Sequence, residues 1–159
     1  MTYKLVQYSF LGTVAALLLF WSCDNNVVYE KNIAIPGQTW KADFQPAFEF
    51  QIEDTTAFYN FYVNIRNNTD YPYRNLYLFV HSFLPGNLTA TDTIEVYLAD
   101  REGKWLGKGL GKIKESRFFL KQHLIFPRKG RYTIQLEQAM RRENLPGIED
   151  IGIRIEKAQ

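Results

Sequence analysis

The chain has 159 residues, of which 46% are hydrophobic and 16% aromatic, and this composition excludes an intrinsically disordered protein. Lysine and arginine number 19 against 17 aspartates and glutamates, so the formal net charge is only +2 and gives no electrostatic basis for nucleic-acid binding. The single cysteine, Cys23, excludes an internal disulfide and a Cys-x-x-Cys metal site.

The first 22 residues have the organisation of a secretory signal peptide. Lys4 supplies a short positive region, and residues 14–20 form the centre of an apolar stretch that runs from 11 to 21. This stretch is too short to span a bilayer comfortably as a stable helix. The sequence therefore predicts a segment that is cleaved after export.

The position of Cys23 predicts a lipoprotein. It follows the small residue Ser22, at the point where lipoprotein processing acylates a thiol and cleaves in front of it. Phe20 and Trp21 are bulkier than is usual there, so an ordinary signal peptide or membrane anchor with a chance cysteine is the alternative. We predict a lipoprotein signal peptide at 1–22, a lipidated tether at 23–26 and a single domain at 27–159. Several acyl chains, at about 0.8 kcal/mol per buried CH₂, make an essentially permanent anchor.

Alternation of apolar and polar residues dominates the rest of the chain and predicts β-strands. In chain order, the clearest strands are 27–35, 59–65, 76–81, 94–98, 120–124, 132–136 and 151–156. Turn-forming residues separate the strands about every ten residues, the spacing of a sandwich or barrel. One polar face per strand favours antiparallel sheets. We therefore predict an all-β fold, an antiparallel β-sandwich of about eight strands, with one short turn or helix within 136–145.

No residue pattern specifies catalysis or a cofactor. His81 and His123 lie within predicted strands and lack an accompanying catalytic motif. Glycines at 107, 109 and 111 lack the ending of a phosphate-binding Walker motif and favour a glycine-rich strand or bulge. Four carboxylates that precede the aromatic strand favour a solvated edge over a glycosidase pair: Asp43, Glu49, Glu53 and Asp54. We expect no enzymatic activity, no metal and no cofactor.

Aromatic residues concentrate in the centre of the chain. Nine fall between 58 and 83, and both faces of the strand at 57–64 carry rings. One face must be core. The other is either part of a wide core with aromatic cross-strand pairs, a sugar-stacking platform or a protein-docking patch.

Several segments carry a resemblance that covers nearly the whole chain. They begin with Ser22-Cys23-Asp24, Val28-Tyr29-Glu30-Lys31 and Trp40, and continue through the aromatic strand. The most distinctive stretch contains Arg66, Tyr71-Pro72-Tyr73 and Asn75-Leu76. Later segments are 92–95, 103–107 and 147–152. These residues resemble the GldH family of gliding-motility lipoproteins of the Bacteroidetes.

The resemblance implies a cell-envelope lipoprotein needed for gliding over surfaces. Relatives act with other Gld and Spr proteins that overlap the type IX secretion machinery, so envelope proteins of that kind are the expected partners. Only Cys23 receives a role, and members also occur in non-gliding bacteria. We expect the outer membrane, facing the periplasm, with the inner membrane as the alternative. The alternative function is a lipid-anchored carbohydrate-binding module with an aromatic stacking face.

Two groups of residues remain candidates for sites. Arg66, Tyr71, Tyr73 and Asn75 belong either to a hairpin that builds the fold, with Arg66 paired to a carboxylate, or to an interaction surface, and the sequence does not separate the two. Thr55 and Thr93 follow aspartates, as in the short O-glycosylation motif of some Bacteroidetes, although chance matches to it are common.

Overall fold

The computed structural model describes residues 26–158, and these form an almost entirely β structure. The predicted signal peptide and Cys23 lie outside the described residues. The ten strands are β1 (Val27–Ala34), β2 (Thr39–Lys41), β3 (Ala47–Ile52), β4 (Tyr59–Asn68), β5 (Asn75–Leu84), β6 (Leu88–Tyr97), β7 (Ile113–Leu124), β8 (Gly130–Gln138), β9 (Asn144–Pro146) and β10 (Ile148–Lys157). A single 3₁₀ turn, Pro36–Gln38, precedes β2 in the described part of the chain.

Two four-stranded sheets face each other and confirm the predicted antiparallel sandwich. The first sheet has the order β1-β10-β4-β7, and the second has the order β3-β8-β5-β6. Every neighbouring pair in both sheets is antiparallel. The short strands β2 and β9 form a separate two-stranded ribbon.

One hydrophobic core lies between the sheets, as the alternation predicted. On β5 the inward residues Leu76, Leu78 and Val80 are at most 4% exposed. The first sheet contributes Phe61, Val63, Ile65, Ile151, Ile153 and Ile155. The ring of Phe126, from the β7–β8 connection, joins the sheets because it lies 5.1 Å from the Tyr59 ring and 5.9 Å from the Phe50 ring.

Connections between strands gather at two ends of the sandwich. At the end where the described chain begins, Lys157 N donates to Asn26 O at 2.8 Å and Ala158 N donates to Phe58 O at 2.8 Å. We call this the tether end: residues 26–28, 157–158 and the connections 53–58, 85–87 and 125–129. The far end holds the β2–β9 ribbon and the connections 69–74 and 98–112.

Three strands, β2, β3 and β9, were missing from the sequence prediction. In β3, Phe48, Phe50 and Ile52 are buried while Glu49 is exposed, so the acidic segment is an edge strand with an apolar inner face. Residues 139–143, within the segment 136–145, form a turn between β8 and β9, which is one of the two predicted alternatives. The Gln138 side chain holds this turn, since its Nε2 donates to Arg142 O at 2.7 Å and its Oε1 accepts from Met140 N at 2.9 Å.

The glycine-rich segment lies in the β6–β7 connection and not within a long strand. Paired backbone hydrogen bonds between Lys108 and Glu115, of 2.8 and 2.7 Å, close a hairpin that leads into β7. Gly109 and Gly111 lie within this hairpin with φ of 137° and 66°. Their spacing therefore reflects turn geometry.

Candidate functional site

The four predicted interaction residues occupy two different places. Arg66 lies on the outer face of the first sheet, where its Nε is 3.0 Å from Asp150 Oδ2, the expected carboxylate partner. Tyr71 is only 3% exposed, and its hydroxyl donates to Asn75 O at 2.8 Å. Tyr73 is 37% exposed and its ring lies 5.8 Å from the Tyr71 ring. The structure therefore groups Tyr71, Tyr73 and Asn75 and leaves Arg66 apart.

The turn before Tyr71 is held by its own polar side chains. Asn68 Nδ2 donates to Glu149 Oε1 at 2.8 Å, and Asn68 Oδ1 accepts from Asp70 N at 2.9 Å. Burial raises the pKa of the Tyr71 hydroxyl above its usual value. These contacts support the structural interpretation of this stretch, with Tyr71 as the residue that the turn closes over.

An exposed row of rings lies on the outer face of the second sheet. Residues that alternate with the buried leucines of β5 point outward, and Tyr77 and Phe83 are 39% and 41% exposed. Tyr97 on β6 pairs with Asn75 and is 42% exposed. We call this surface the aromatic face: Tyr77, Phe79, His81, Phe83 and Tyr97. The sequence pattern made the strand at 57–64 the candidate for a docking patch or stacking platform, whereas these exposed rings lie on β5 and β6.

Hydrogen bonds to one carboxylate order the far-end half of the aromatic face. Glu95 accepts from Asn75 Nδ2 at 2.7 Å and from the hydroxyls of Tyr77 and Tyr97. The Asn75 bond, with those of the two tyrosines, holds the pKa of Glu95 below its usual value. The hydrogen bond from the Tyr77 hydroxyl to Glu95 raises the pKa of Tyr77. The Arg74 guanidinium lies 5.0 Å from the centre of the Tyr97 ring. The exposed rings are therefore held in place.

The opposite side of the molecule is covered by an ionic network. Arg154 contacts Glu30 at 2.6 Å and Glu156 at 2.9 Å, and Arg117 contacts Glu30 at 2.7 Å. Arg117 Nε also donates to Asn64 Oδ1 at 2.8 Å, and Asn64 is only 3% exposed. We call Glu30, Asn64, Arg117, Arg154 and Glu156 the ionic network.

The ionic network determines whether the second face of β4 presents exposed rings. Tyr62 donates its hydroxyl to Glu156 and packs its ring 4.3 Å from the Phe119 ring on β7. Tyr62 is 8% exposed, so it does not present a free platform. Among the three interpretations of this face, the structure shows aromatic cross-strand pairing.

A cavity of about 360 Å³ lies between the sheets, near the edge strands β6 and β7. Its lining is mostly apolar and includes Phe61, Leu120, Leu124 and Phe126. Lys121 Nζ and Asp92 Oδ2, 3.0 Å apart, link the two edges beside it. The sequence contained no signal for this cavity, because its walls come from strands that are distant along the chain.

The candidate catalytic residues are dispersed. His81 has both ring nitrogens engaged on the open aromatic face, at 3.0 Å from Thr91 Oγ1 and 2.9 Å from Glu137 Oε2. His123 lies at the end of β7, with its ring 6.1 Å from the Phe58 ring. Hydrogen bonds from Thr56 and from Lys157 hold the pKa of Asp54 well below its usual value. Within residues 26–158, no group of three or more His, Cys, Asp or Glu side chains is placed to hold a metal ion.

The two threonines of the short glycosylation motif lie on separate elements. Thr55 is partly exposed in the 53–58 connection, and Thr93 is exposed on β6 opposite Phe79. Their modification stays a prediction.

A family model now connects this fold to known proteins. The model described as GldH lipoprotein matches residues 27–155, the whole sandwich up to the last strand. The chain belongs to the GldH lipoprotein family. Membership confirms the resemblance carried by the segments around Glu30, Arg66 and Gly152.

Two relatives share the GldH family name and nearly the full length of this chain. The gliding motility lipoprotein GldH of Flavobacterium johnsoniae is 38% identical over 159 residues, which cover 96% of this chain and 98% of the relative. A gliding motility lipoprotein GldH homolog of Christiangramia forsetii is 37% identical over 152 residues, 91% of this chain and 93% of the relative. Among residues 26–158, we find no helix with the length and apolar character needed to cross a membrane.

Proposed function

We propose that this protein is a lipid-anchored, non-enzymatic component of the cell envelope that supports gliding motility by binding other envelope proteins. Membership of the GldH lipoprotein family is the observation that carries the proposal. The relatives named as gliding motility lipoproteins match this chain over more than nine-tenths of its length, so the likeness covers more than an isolated module.

The anchor in this proposal is acylated Cys23, in the outer membrane and facing the periplasm. Metabolic labelling with a fatty-acid analogue tests the acylation. Wild-type protein is expected to take up label, and Cys23→Ala is expected to lose it. Label that persists on the Ala variant would refute the assignment. Separation of inner and outer membranes by density then tests the location.

The contact surface in this proposal is the far-end half of the aromatic face together with Tyr73. Tyr73, Tyr77 and Tyr97 are each between 37% and 42% exposed. Tyrosine and arginine are among the residues most enriched where binding energy concentrates, and the Arg74 guanidinium stacks on the Tyr97 ring within this group. The Glu95 hydrogen bonds reduce the entropy lost when the rings are immobilised by a partner. Partners in the gliding and type IX secretion machinery are the proteins we expect here.

Complementation of a gliding strain that lacks its own family member tests both the motility role and the contact surface. The wild-type gene should restore colony spreading and secretion of surface adhesins, and a Tyr77→Ser, Tyr97→Ser variant should not. Leu110→Ser is the matched control, because Leu110 is 97% exposed and lies off the aromatic face. Affinity purification from membranes should recover partners with the control and not with the double variant. A deletion strain with normal spreading and secretion would contradict the motility role.

Carbohydrate binding is the second candidate function. The observation that favours it is the placement of exposed rings beside the Asn75 amide and the Glu95 carboxylate, a combination that suits stacking on a sugar and bonding to its hydroxyls. Glycan-array binding that disappears with Tyr73→Ala, while the unfolding midpoint is unchanged, would favour this candidate over protein binding. Array binding at background level would remove it.

A further inference from the structure

Exposed apolar side chains are distributed over the tether end in a regular way. Each of its three interstrand connections carries or adjoins one large apolar side chain that is about half exposed. These are Phe58 at 50%, Leu88 at 48% and Ile125 at 47%. Beside Ile125, Arg128 and Lys129 are exposed and form no ion pair with any other residue in 26–158. Large apolar side chains next to basic ones are typical of surfaces that meet a membrane interface.

Because the tether is short, a bilayer that holds Cys23 must lie close to the tether end. Only Asp24 and Asn25 separate Cys23 from Asn26, and three residue steps span at most about 11 Å. Asn26 is joined by its carbonyl to β10, and β10 is joined in turn to Phe58. Two strand spacings, about 10 Å, therefore separate the tether from Phe58. A Cys23 fixed in the headgroup layer, which is about 5–8 Å thick, leaves this end of the sandwich at the membrane surface.

We propose that the tether end is a membrane-seating surface, on which Phe58, Leu88 and Ile125 enter the headgroup region and Arg128 and Lys129 face anionic lipid. The proposal rests on lipidation at Cys23 and adds an orientation to it. Lys157 neutralises Asp54, since Lys157 Nζ lies 3.2 Å from Asp54 Oδ2. Among the described residues of the tether end, the unpaired charges are then one negative, Glu53, and two positive, Arg128 and Lys129. In this orientation the connections of the tether end contact the membrane, and the Tyr73 region is directed away from the lipid.

Quenching by brominated lipid tests this orientation. The lipidated protein is placed in vesicles of phosphatidylethanolamine and phosphatidylglycerol, with and without bromine on the acyl chains. Phe58→Trp reports on the tether end, and Leu110→Trp is the matched control at the far end, where Leu110 is 97% exposed. The native Trp40 and Trp105 supply a background from the far end, because Trp40 lies in the β2–β9 ribbon and Trp105 in the 98–112 connection.

The expected result for Phe58→Trp is a loss of the added tryptophan emission on bromination, with a blue shift on reconstitution. The emission of Leu110→Trp should not change. A Phe58→Glu, Ile125→Glu variant should still float with vesicles through its anchor but should abolish quenching of a tryptophan introduced by Leu88→Trp. Leu106→Glu is its control, since Leu106 is 56% exposed at the far end.

The experiment distinguishes failure of the membrane-seating surface from failure of the lipid anchor. Protein that floats with the vesicles but shows no quenching in Phe58→Trp, or equal quenching in Phe58→Trp and Leu110→Trp, overturns the seating surface and leaves the anchor standing. Protein that carries no fatty-acid label and does not float overturns the anchor and the seating surface together. Urea unfolding of each variant confirms that a lost signal does not come from a lost fold.

Discussion

The backbone of Tyr71 occupies the space where a side chain on Gly147 would lie. A Cβ built on Gly147 would be 2.6 Å from Tyr71 Cα and 2.7 Å from Tyr71 N, and Gly147 has φ of +88°. Asn68 N donates to Gly147 O at 2.9 Å, and Gly147 N donates to Gln38 O at 2.8 Å. Three segments that are distant along the chain, around 38, 70 and 147, therefore close on one glycine at the far end.

Gly147→Ala is expected to destabilise the fold strongly. The left-handed conformation costs about 1–2 kcal/mol for a residue with a side chain, and overlap with backbone that cannot move aside adds about 1–3 kcal/mol. Urea unfolding measures the loss. Gly37→Ala is the matched control, because Gly37 also has positive φ (+61°) but has nothing within 4 Å of its Cβ position. Equal losses in the two variants would show that contact with Tyr71 contributes nothing.

Arg66→Gln is expected to destabilise the protein more at neutral than at acidic pH. Burial raises the pKa of Asp150, and Arg66 offsets part of that rise. A raised carboxyl pKa means that ionisation of Asp150 opposes folding, so stability from this group is present at low pH and is lost as the pH rises through the folded pKa. Removing Arg66 raises that pKa further. Because Arg66 is half exposed, we expect a loss of about 1 kcal/mol at pH 7.

The loss should shrink towards zero below about pH 3, where Asp150 is protonated in both states. Unfolding of wild type and variant at both pH values measures the difference. Lys121→Gln is a suitable control, since the pair that it breaks with Asp92 is at least half exposed on both sides. A loss of the same size at both pH values would contradict the assigned role of Arg66.

Arg154→Ala is expected to cost more than Arg117→Ala within the ionic network. The Arg154 side chain is 11% exposed and holds two glutamates, whereas the Arg117 side chain is 40% exposed. Loss of Arg154 removes the cation that Glu30 and Glu156 share, although Arg117 still contacts Glu30. We expect a loss of about 2 kcal/mol, below the range for fully buried pairs because both glutamates retain some solvent. Differential scanning calorimetry of the two variants would show the order, and a reversed order would refute it.

Tyr71→Phe and Tyr73→Phe separate the structural from the interaction role. The Tyr71 hydroxyl is buried and donates to Asn75 O, so its removal should cost about 0.5–1.5 kcal/mol of stability. Tyr73→Phe should leave stability unchanged, because Tyr73 is partly exposed, and any effect on spreading would then come from partner binding. Chemical unfolding and colony spreading, measured on both variants, distinguish the two. A Tyr73 variant that unfolds as early as the Tyr71 variant would contradict this division.

The strand pattern could be derived from sequence because alternation is local. Leu76, Leu78 and Val80 all face the core as their spacing predicted, and Ile151, Ile153 and Ile155 do the same. β3 was not predicted because its acidic residues are typical of a solvated edge, although Phe48, Phe50 and Ile52 alternate as regularly as the predicted strands. The two ribbon strands have three residues each, which is too short for a periodicity to show.

The surfaces could be predicted only in part. A pair between Arg66 and a carboxylate was expected, but the partner, Asp150, lies 84 residues away on β10, and only the β4–β10 register identifies it. The need for glycine at position 152 also depends on how the strands pair. A Cβ there would lie 2.5 Å from Lys31 O, and the Asn32 side chain covers this position. The glycine is required by a neighbouring strand, which the local sequence does not reveal.

The sequence by itself determined an all-β chain with alternating strands, a cysteine placed for lipidation and membership of a lipoprotein family. These follow from local periodicity, from the order of residues around Cys23 and from likeness along the chain. Only the tertiary structure decided that Tyr71 is buried, that the second face of β4 is closed by Glu30 and Arg154, and that the rings of the aromatic face lie on β5 and β6. Strand order and register determine these outcomes, because they choose which distant residues share a face. The same pairing places Phe58 at the same end of the sandwich as Asn26, with β10 between them.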